Sequence, residues 1–335
     1  MQANAGKSGF FKTPNIRVVR GAEFRYRCGM VTRRQVRQVF ILGAGLGTRL
    51  RPLTDRLPKP LVPLYNRPLV EWVIDACLRA GIHRFAINTH HMPDAWSGFA
   101  AQAACRDLDL SLFYEPLLLD TGGGLRNIAP WVADEPLLVH NGDIFTTLPL
   151  EKLIEAHLGS GLPATLALRS DGAERRVGVD SSGTRVTDLR HALGVDPGSH
   201  VFSGVYCIDP GFLGLLPTGG IFSVIPTFVE LARQGRLGAV VIDEGEWLDL
   251  GDRESYLTAN LQLDLAPGIH PSAIVKPGAL VERSVIGPDC VIEAGAMVRE
   301  SVLWAGSQIQ AGASLDRCVV CSGQPVTGAY RDTNV

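Results

Sequence analysis

Glycine, arginine and lysine residues between positions 42 and 64 have the types and spacing that phosphate binding requires. An apolar run of strand length ends at Leu42 and is followed by Gly43, Ala44, Gly45, Leu46, Gly47, Thr48 and Arg49. Consecutive backbone N–H groups at the carboxyl edge of a parallel sheet are a common site for anionic ligands. Arg49 offers a planar fork to two phosphate oxygens, and Lys59, between two prolines, offers a point charge. These residues predict a polyphosphate site, although the three glycines alone would also fit a tight turn without a ligand.

The same segment differs from two widespread phosphate-binding motifs. It lacks the G-x-x-x-x-G-K-[ST] pattern of P-loop kinases and ATPases, and it lacks the G-x-G-x-x-G pattern of dinucleotide-binding folds. A P-loop enzyme is therefore excluded, and a dinucleotide-binding site is disfavoured.

Two aspartates far apart in the sequence are candidates for a magnesium site. Asp143 follows the apolar run Leu137–His140 within the sequence Asn-Gly-Asp, and Asp249 follows a second apolar run. Magnesium in proteins binds few carboxylates and completes its coordination with water and phosphate oxygens. We expect both aspartates to end strands at one edge of a sheet and to share one ion. For Asp143 alone, the alternative is an ordinary Asn-Gly-Asp turn.

The chain is long enough for two domains that would position these residues. It has 335 residues, 46% hydrophobic and 20% charged, which is the balance of a folded protein. From residue 37, apolar runs of strand length alternate with helical stretches, which predicts β-α-β units and a mainly parallel sheet. The expected helices are Leu69–Ala80, Pro93–Cys105, Ser223–Arg233 and Arg253–Leu265. Strands are expected at Val39–Leu42, Arg84–Asn88, Leu110–Tyr114 and Leu137–His140, and in a more antiparallel region at Thr165–Arg169, Val177–Asp180 and Ser203–Ile208.

The C-terminal part of the chain is repetitive. Residues 269–319 consist of three aligned stretches of seventeen residues, in which branched apolar residues recur every six positions. These residues are Ile269, Val275, Val281, Ile286, Ile292, Val298, Leu303, Ile309 and Leu315. The period resembles that of hexapeptide-repeat proteins and predicts a triangular coil of parallel strands, a left-handed β-helix.

These patterns divide the chain into four parts. Residues 1–36 carry eight basic residues against one acid and predict a disordered basic arm. A Rossmann-like α/β domain with a mixed sheet is expected at 37–266, a short left-handed parallel β-helix at 267–328 and a tail at 329–335. We expect the repeats to form a homo-oligomer contact, and their deletion (residues 268–335) to leave the phosphate site intact.

Composition excludes several classes of partner. The formal net charge of −2 provides no basic coat for nucleic acid, and no apolar run reaches the length of a membrane span. We therefore expect a cytoplasmic protein that binds neither nucleic acid nor membranes. The seven cysteines are spread over the chain, and the single C-x-x-C pair has no second pair that would complete a zinc site, so buried thiols are expected.

Four motifs in order resemble those of the sugar-1-phosphate nucleotidyltransferases, the nucleotide-sugar pyrophosphorylases. They begin with the sequence Gly45 to Arg49, followed by Pro58-Lys59. The next are Thr121-Gly122-Gly123-Gly124, then Asn141-Gly142-Asp143, then Trp247-Leu248-Asp249-Leu250-Gly251. The resemblance covers about 220 residues. It implies an enzyme that converts an NTP and a sugar 1-phosphate into a nucleotide-diphospho-sugar and pyrophosphate with Mg²⁺.

The resemblance also implies roles for individual residues. Catalysis is assigned to Arg49, Lys59 and Asp143, and the metal to Asp143 and Asp249. Nucleotide binding is assigned to Leu42, Gly43, Ala44, Gly45, Gly47, Thr48, Arg49, Gly122 and Gly123. Sugar binding is assigned to Asn141, Gly204 and Trp247. One departure weakens the sugar assignment, because residues 186–190 read VTDLR where many relatives carry a Glu-Lys-Pro that holds the sugar phosphate.

The substrates are less well defined than the reaction. The repeat tail resembles that of mannose-1-phosphate guanylyltransferases, which favours guanylyl transfer to mannose 1-phosphate or a manno-heptose 1-phosphate. The sequence DTGGGLRN is closer to N-acetylmuramate-1-phosphate uridylyltransferases, so uridylyl or thymidylyl transfer to that sugar or to glucose 1-phosphate stays open. A non-catalytic regulatory subunit is a further alternative, against which the retained Arg49, Lys59, Asp143 and Asp249 argue. An acyltransferase tail is disfavoured because the three coils are short and His270 is their only histidine.

Overall fold

A computed structural model describes residues 34–102 and 107–335. The expected basic arm lies outside these residues except for its last three positions, and Val36 is already buried in the core. Of the seven cysteines, five lie in the described part, and all five are buried free thiols: Cys77, Cys207, Cys290, Cys318 and Cys321.

The N-terminal domain is built on a seven-stranded mixed sheet with the order β12-β8-β11-β6-β1-β4-β5. Its neighbouring strands are parallel except for β11, which is antiparallel to both β6 and β8. The strands up to residue 249 are β1 Gln38–Leu42, β2 Pro63–Leu64, β3 Arg67–Pro68, β4 Arg84–Thr89, β5 Asp109–Tyr114, β6 Leu137–Asn141, β7 Ile144–Thr146, β8 Ala164–Arg169, β9 Val177–Val179, β10 Val186–Leu189, β11 Val201–Ile208, β12 Leu237–Val241 and β13 Trp247–Asp249.

Helices cover both faces of this sheet. They are α1 Leu69–Arg79, α2 Pro93–Ala101, α3 Asp120–Asn127, α4 Leu150–Ser160, α5 Ile225–Arg233 and α6 Arg253–Gln262. Apolar residues of α1, α2 and α4 join one core cluster with the sheet, and those of α3 and α5 join a second cluster on the opposite face. None of the helices in the described ranges is long and apolar enough to cross a membrane.

The structure corrects two details of the expected topology. Strands β8 and β11 were expected in a separate antiparallel region, but they extend the main sheet, because β11 inserts antiparallel between β6 and β8. Helix α3 was not among the expected elements, since three of its eight residues are glycines, which have low helix propensity. Helix α4 was also missed.

Residues 268 onward form a stack of short parallel strands. The strands are β14 Ile274–Val275, β15 Leu280–Glu282, β16 Val285–Ile286, β17 Val291–Ile292, β18 Met297–Arg299, β19 Val302–Leu303, β20 Gln308–Ile309, β21 Ser314–Asp316, β22 Val319–Val320 and β23 Ala329–Arg331. They pair in three parallel sheets, which confirms the predicted β-helix. Strand β23 pairs with β21, so the stack continues past residue 328, where the sequence placed a separate tail.

The hexad residues of the second and third coils fill the interior of this stack. Ile286, Ile292, Val298, Leu303, Ile309 and Leu315 are all at most 1% exposed. The corresponding residues of the first coil are more exposed, because Ile269 and Val275 stand at the end of the stack, where no further coil of the described residues covers them.

One face of the β-helix packs against the N-terminal domain. Val285, Val302 and Trp304 share a core cluster with Leu50, Leu53 and other residues of the segment between Arg49 and Tyr65. The Trp304 indole donates to the Tyr256 hydroxyl over 3.0 Å, and that hydroxyl donates to the Pro63 carbonyl over 2.6 Å. The β-helix therefore packs against the segment that carries Lys59, and the expectation that removal of residues 268–335 leaves the phosphate site intact stays a prediction.

Candidate active site

The candidate site lies at the carboxyl edge of the central strands. Strand register aligns Leu42, at the end of β1, with Asn88 on β4 and with Asn141 at the end of β6. The chain beyond these three positions borders a cavity of about 520 Å³. It is lined by Leu42, Gly43, Ala44, Gly45, Gly47, Thr48, Arg49, Lys59, Pro60, Asn88, Leu118, Asp120, Thr121, Asn141, Asp143, Ile221 and Gly251.

The glycine-rich loop after β1 has a conformation that side chains would disturb. Gly47 has a left-handed backbone (φ 60°), and a β-carbon there would lie 2.9 Å from the Thr54 methyl group. A β-carbon on Gly43 would lie 2.8 Å from the Asn88 carbonyl oxygen. The Thr54 hydroxyl donates to the Gly47 carbonyl over 2.9 Å and fixes the turn. The loop therefore stays close to the sheet edge and leaves room above it for a ligand.

Lys59 and the two candidate metal ligands form one cluster. The Lys59 side chain is only 6% exposed, and its Nζ lies 2.8 Å from Asp143 Oδ2 and 3.8 Å from Asp249 Oδ1. Asp143 follows the end of β6, whereas Asp249 ends β13, which pairs with β7 in a separate two-stranded ribbon. In that ribbon Asp249 is opposite Ile144, the neighbour of Asp143. The two aspartates thus meet as expected, although by way of this ribbon rather than at the edge of one sheet.

The charges within this cluster favour the binding of a cation. Burial raises the pKa of the Asp249 carboxyl, and repulsion by Asp143 raises it further, while Lys59 and Arg49 oppose both effects. Both carboxylates remain partly exposed next to the cavity. Two carboxylates beside a phosphate-sized space are a suitable ligand set for Mg²⁺, which takes its remaining ligands from water and phosphate. No cluster of three or more His, Cys, Asp or Glu suited to a metal exists within residues 34–102 and 107–335.

Arg49 follows the glycine loop and lines the cavity next to Gly251. A β-carbon on Gly251 would lie 3.1 Å from both terminal nitrogens of the Arg49 guanidinium, so the absence of a side chain at Gly251 makes space for this group. Hydrogen bonds from Ser255 lower the pKa of the Asp252 carboxyl, and the nearby Arg49 charge lowers it further. The structure therefore gathers Arg49, Lys59, Asp143 and Asp249 around one cavity.

The Thr121-Gly122-Gly123-Gly124 motif forms the start of α3 and packs beneath the cavity wall. The N–H groups of Gly122 and Gly123 both donate to the Phe222 carbonyl over 3.0 Å. A β-carbon on Gly122 would lie 2.6 Å from the Phe222 ring. Gly122 and Gly123 are buried and do not line the cavity, whereas Thr121 does. Thr121, rather than Gly122 or Gly123, is therefore the residue of this motif that can contact a nucleotide in the cavity.

The three residues expected to bind the sugar, Asn141, Gly204 and Trp247, lie close to one another. A β-carbon on Gly204 would lie 2.7 Å from the Asn141 amide nitrogen, and Gly204 has a left-handed backbone (φ 78°). The Trp247 indole donates to the Ser203 carbonyl over 2.8 Å. Asn141, Gly204 and Trp247 are therefore neighbours, but only Asn141 lines the cavity.

Asp188 and Arg190, in the sequence VTDLR, do not provide the missing sugar-phosphate contact. The buried Asp188 carboxylate accepts hydrogen bonds from the backbone N–H groups of Leu193 and Val195, over 3.1 and 3.0 Å. It therefore stabilises its own loop. Arg190 is exposed with a left-handed backbone, and neither residue lines the cavity.

Two residues that line the cavity, Ile221 and Asn88, and the buried Glu115 next to Asn88 belong to no recognisable sequence motif. Ile221 is exposed at the cavity, Asn88 lies on β4, and Glu115 is buried directly after β5. The strand register brings Asn88 beside Leu42, and the backbone N–H of Glu115, just after β5, donates to the Thr89 carbonyl over 2.7 Å.

Comparisons with known proteins agree with this architecture. Residues 38–265 match the family described as Nucleotidyl transferase, and residues 268–329 match a family described as GlmU-like, C-terminal hexapeptide. A similar curated protein is the mannose-1-phosphate guanylyltransferase of Mycobacterium tuberculosis, 28% identical over 264 residues, which cover 74% of this chain and 73% of the relative. Mannose-1-phosphate guanylyltransferase 1 of Arabidopsis thaliana is 28% identical over 235 residues, 68% of this chain and 65% of that protein.

A solved structure supports the fold. The crystal structure of a UDP-glucose pyrophosphorylase complexed with UDP-glucose aligns with a TM-score of 0.59 and 17% sequence identity. The alignment covers 68% of this chain and 97% of the other.

Proposed function

The chain belongs to the nucleotidyl transferase family as a sugar-1-phosphate nucleotidyltransferase, and we propose that it transfers a guanylyl group from GTP to mannose 1-phosphate or a related manno-heptose 1-phosphate. The single observation that carries the reaction is the buried Lys59, which lies between Asp143 and Asp249 at a cavity of about 520 Å³. The choice of base and sugar rests on the names of relatives that are 25–28% identical, from a bacterium, plants, vertebrates and fungi.

The proposed chemistry is an in-line displacement at the α-phosphorus of the NTP. An oxygen of the sugar phosphate forms the new bond while the bond to pyrophosphate breaks. Because a phosphate monoester has a second pKa of about 6, the nucleophile is already ionised at pH 7 and no general base is needed. The chain's residues then act by positioning and by charge neutralisation, with Arg49 and Lys59 as the cations that stabilise the phosphate oxygens.

Asp143 and Asp249 would hold the magnesium ion. The ion would neutralise phosphate charge and orient the triphosphate, which is the part metals take in phosphoryl and nucleotidyl transfer. Within this arrangement Lys59 keeps the two carboxylates from repelling each other and lies ready to contact a phosphate oxygen. The glycine loop would provide backbone N–H groups to the NTP, and Asn141, Gly204 and Trp247 would border the sugar.

A matrix of substrates tests the proposal. Each of GTP, UTP, dTTP, ATP and CTP is paired with the 1-phosphates of mannose, manno-heptose, glucose and N-acetylmuramate, and pyrophosphate release is measured. We expect the highest kcat/KM for GTP with one of the two manno-configured sugars. A preference for UTP or dTTP with glucose or N-acetylmuramate 1-phosphate would replace the guanylyl assignment, and no release with any pair would favour a regulatory subunit.

We further propose that the open end of the β-helix contacts a second copy of the chain. The first coil exposes Ile269, Ile274, Val275 and Leu280, and among residues 34–102 and 107–335 its strands have a neighbour on one side only. Such an apolar end with unpaired strand edges is the kind of surface that stacks against another chain.

A charge at this end should separate the copies. We expect Ile274→Glu to lower the mass measured by light scattering to that of a single chain, because the glutamate would have to be buried in the contact. Gln308→Glu adds the same side chain in the third coil of the same sheet and should leave the mass unchanged. Equal masses for wild type and Ile274→Glu would contradict the contact.

A further inference from the structure

A chain of hydrogen bonds connects two walls of the cavity through Asn88 and Glu115. The Gly43 N–H donates to Asn88 Oδ1 over 2.7 Å, and Asn88 Nδ2 donates to Glu115 Oε1 over 2.8 Å. The other carboxylate oxygen, Glu115 Oε2, accepts the Leu119 N–H over 3.1 Å. Gly43 begins the glycine loop, and Leu119 lies within the segment that contributes Leu118, Asp120 and Thr121 to the opposite wall.

We propose that Asn88 and Glu115 are a positioning pair that sets the separation of these two walls and so determines nucleotide affinity. This inference rests on the proposed function, because it takes an NTP as the ligand between the walls. The pair does not reach the ligand through Glu115, whose side chain is buried and does not line the cavity. Both carboxylate oxygens are already used within the chain.

The surroundings of Glu115 show that its carboxylate is held by hydrogen bonds rather than by an ion pair. Within residues 34–102 and 107–335, Glu115 forms no ion pair with a Lys, Arg or His side chain at a distance of 4.0 Å or less. A buried carboxylate is costly unless donors satisfy it. Its two donors come from β4 and from the chain just before α3, so loss of either would leave a buried polar group unpaired.

Helix α3 leaves room for this pair by carrying a glycine. A β-carbon on Gly124 would lie 2.9 Å from Asn88 Nδ2 and 3.2 Å from Glu115 Oε1. A glycine is therefore required at position 124, the third of the Thr-Gly-Gly-Gly motif, because α3 passes very close to the positioning pair.

The direction of each hydrogen bond is fixed, and this gives a specific test. Because the backbone N–H groups of Gly43 and Leu119 can only donate, Asn88 must present its oxygen to Gly43 and Glu115 must present an oxygen to Leu119. In Glu115→Gln, the new amide NH₂ faces a donor on one side or the other. In Asn88→Asp, two carboxylates face each other. Each single change therefore breaks one bond in the chain.

The double variant Asn88→Asp/Glu115→Gln restores every bond with the central one reversed. Asp at 88 accepts from Gly43, Gln at 115 donates to that carboxylate, and the Gln oxygen accepts from Leu119. The net charge of the pair also stays the same. If the direction of the hydrogen bonds matters, each change should therefore partly relieve the loss of affinity that the other causes.

The experiment measures the affinity of the full-length protein for the NTP that it uses best, by calorimetry with Mg²⁺, together with Tm. We expect each single variant to raise Kd roughly tenfold, the effect of one unsatisfied buried polar group. We expect the double variant to bind the NTP more tightly than either single variant but less tightly than wild type, because its carboxylate at position 88 lines the cavity. Single variants with wild-type affinity, or a double variant no better than the weaker single one, would overturn the proposal. A lowered Tm with unchanged Kd would assign the pair to stability alone.

A second pair of variants tests the proposal if the single variants at positions 88 and 115 fail to fold. Gly124→Ala displaces the pair without removing it and should raise Kd, whereas Gly98→Ala, at an exposed helix position with no atom within 4 Å of the new methyl group, should not. Equal Kd values for Gly124→Ala and wild type would also overturn the proposal. A wild-type protein that binds no NTP would contradict the proposed function itself, whereas normal wild-type binding with unaffected variants would contradict the positioning pair only.

Discussion

Replacing Lys59 with alanine is expected to lower kcat for nucleotidyl transfer by roughly 10²–10³, the scale for removing one preorganised electrostatic donor. The Lys59 ammonium is almost fully buried and lies within 4 Å of both aspartates, so no solvent cation can replace it at the same position. Its loss removes a positive charge from the place where phosphate charge gathers. Steady-state pyrophosphate release at saturating substrates measures the effect.

A nearby arginine provides the control for Lys59. Arg51 belongs to the same segment, is exposed and forms an ion pair with Asp55 over 3.1 Å, so Arg51→Ala removes the same charge at a position that does not line the cavity. We expect its kcat to stay within about twofold of wild type, as is usual for exposed ion pairs that contribute little. A folded Lys59→Ala protein with unchanged kcat would remove Lys59 from the mechanism.

The second large effect is expected for the two candidate metal ligands. Asp143→Asn and Asp249→Asn keep the size of the side chain but remove one negative charge each. If both carboxylates hold Mg²⁺, turnover should fall by roughly 10²–10³, and the Mg²⁺ concentration needed for half-maximal rate should rise. A titration of rate against Mg²⁺ separates these two changes.

An exposed aspartate serves as the control for the metal ligands. Asp55→Asn removes the same charge at an exposed position that is not part of the cavity lining, and it should shift neither the rate nor the Mg²⁺ requirement. Two asparagine variants that turn over normally at the wild-type Mg²⁺ concentration would exclude a shared ion. A rate loss without any change in Mg²⁺ requirement would show that the aspartates act by positioning Lys59 rather than by binding the metal.

Local sequence patterns were sufficient to predict most of the framework of the site. The run that ends at Leu42 and the glycines after it predict a strand and a loop because each signal lies within a few residues. The six-residue period likewise places Ile286, Ile292 and Leu303 in the interior of a coil, and all three are fully buried. Asp143 and Asp249 could be paired because both follow apolar strands.

Other features depend on contacts that no local pattern encodes. Asn88 and Glu115 meet only through the register of β1, β4 and β5, and neither belongs to a recognisable motif. The contact of Trp304 with Tyr256 joins residues from different domains and could not be inferred from either domain's periodicity. The glycines after Thr121 predict close approach, but only the structure shows that their neighbours are Phe222, Leu119 and the positioning pair.

The central claim is that this cavity joins an NTP to a sugar 1-phosphate with a metal held by Asp143 and Asp249. Pyrophosphate release by the wild-type protein from GTP and mannose 1-phosphate, measured with Mg²⁺ and then with excess EDTA, tests it most directly. We expect release that requires both substrates, stops in EDTA and returns when Mg²⁺ is added. Undiminished release in excess EDTA, or release from the NTP without any sugar phosphate, would contradict it.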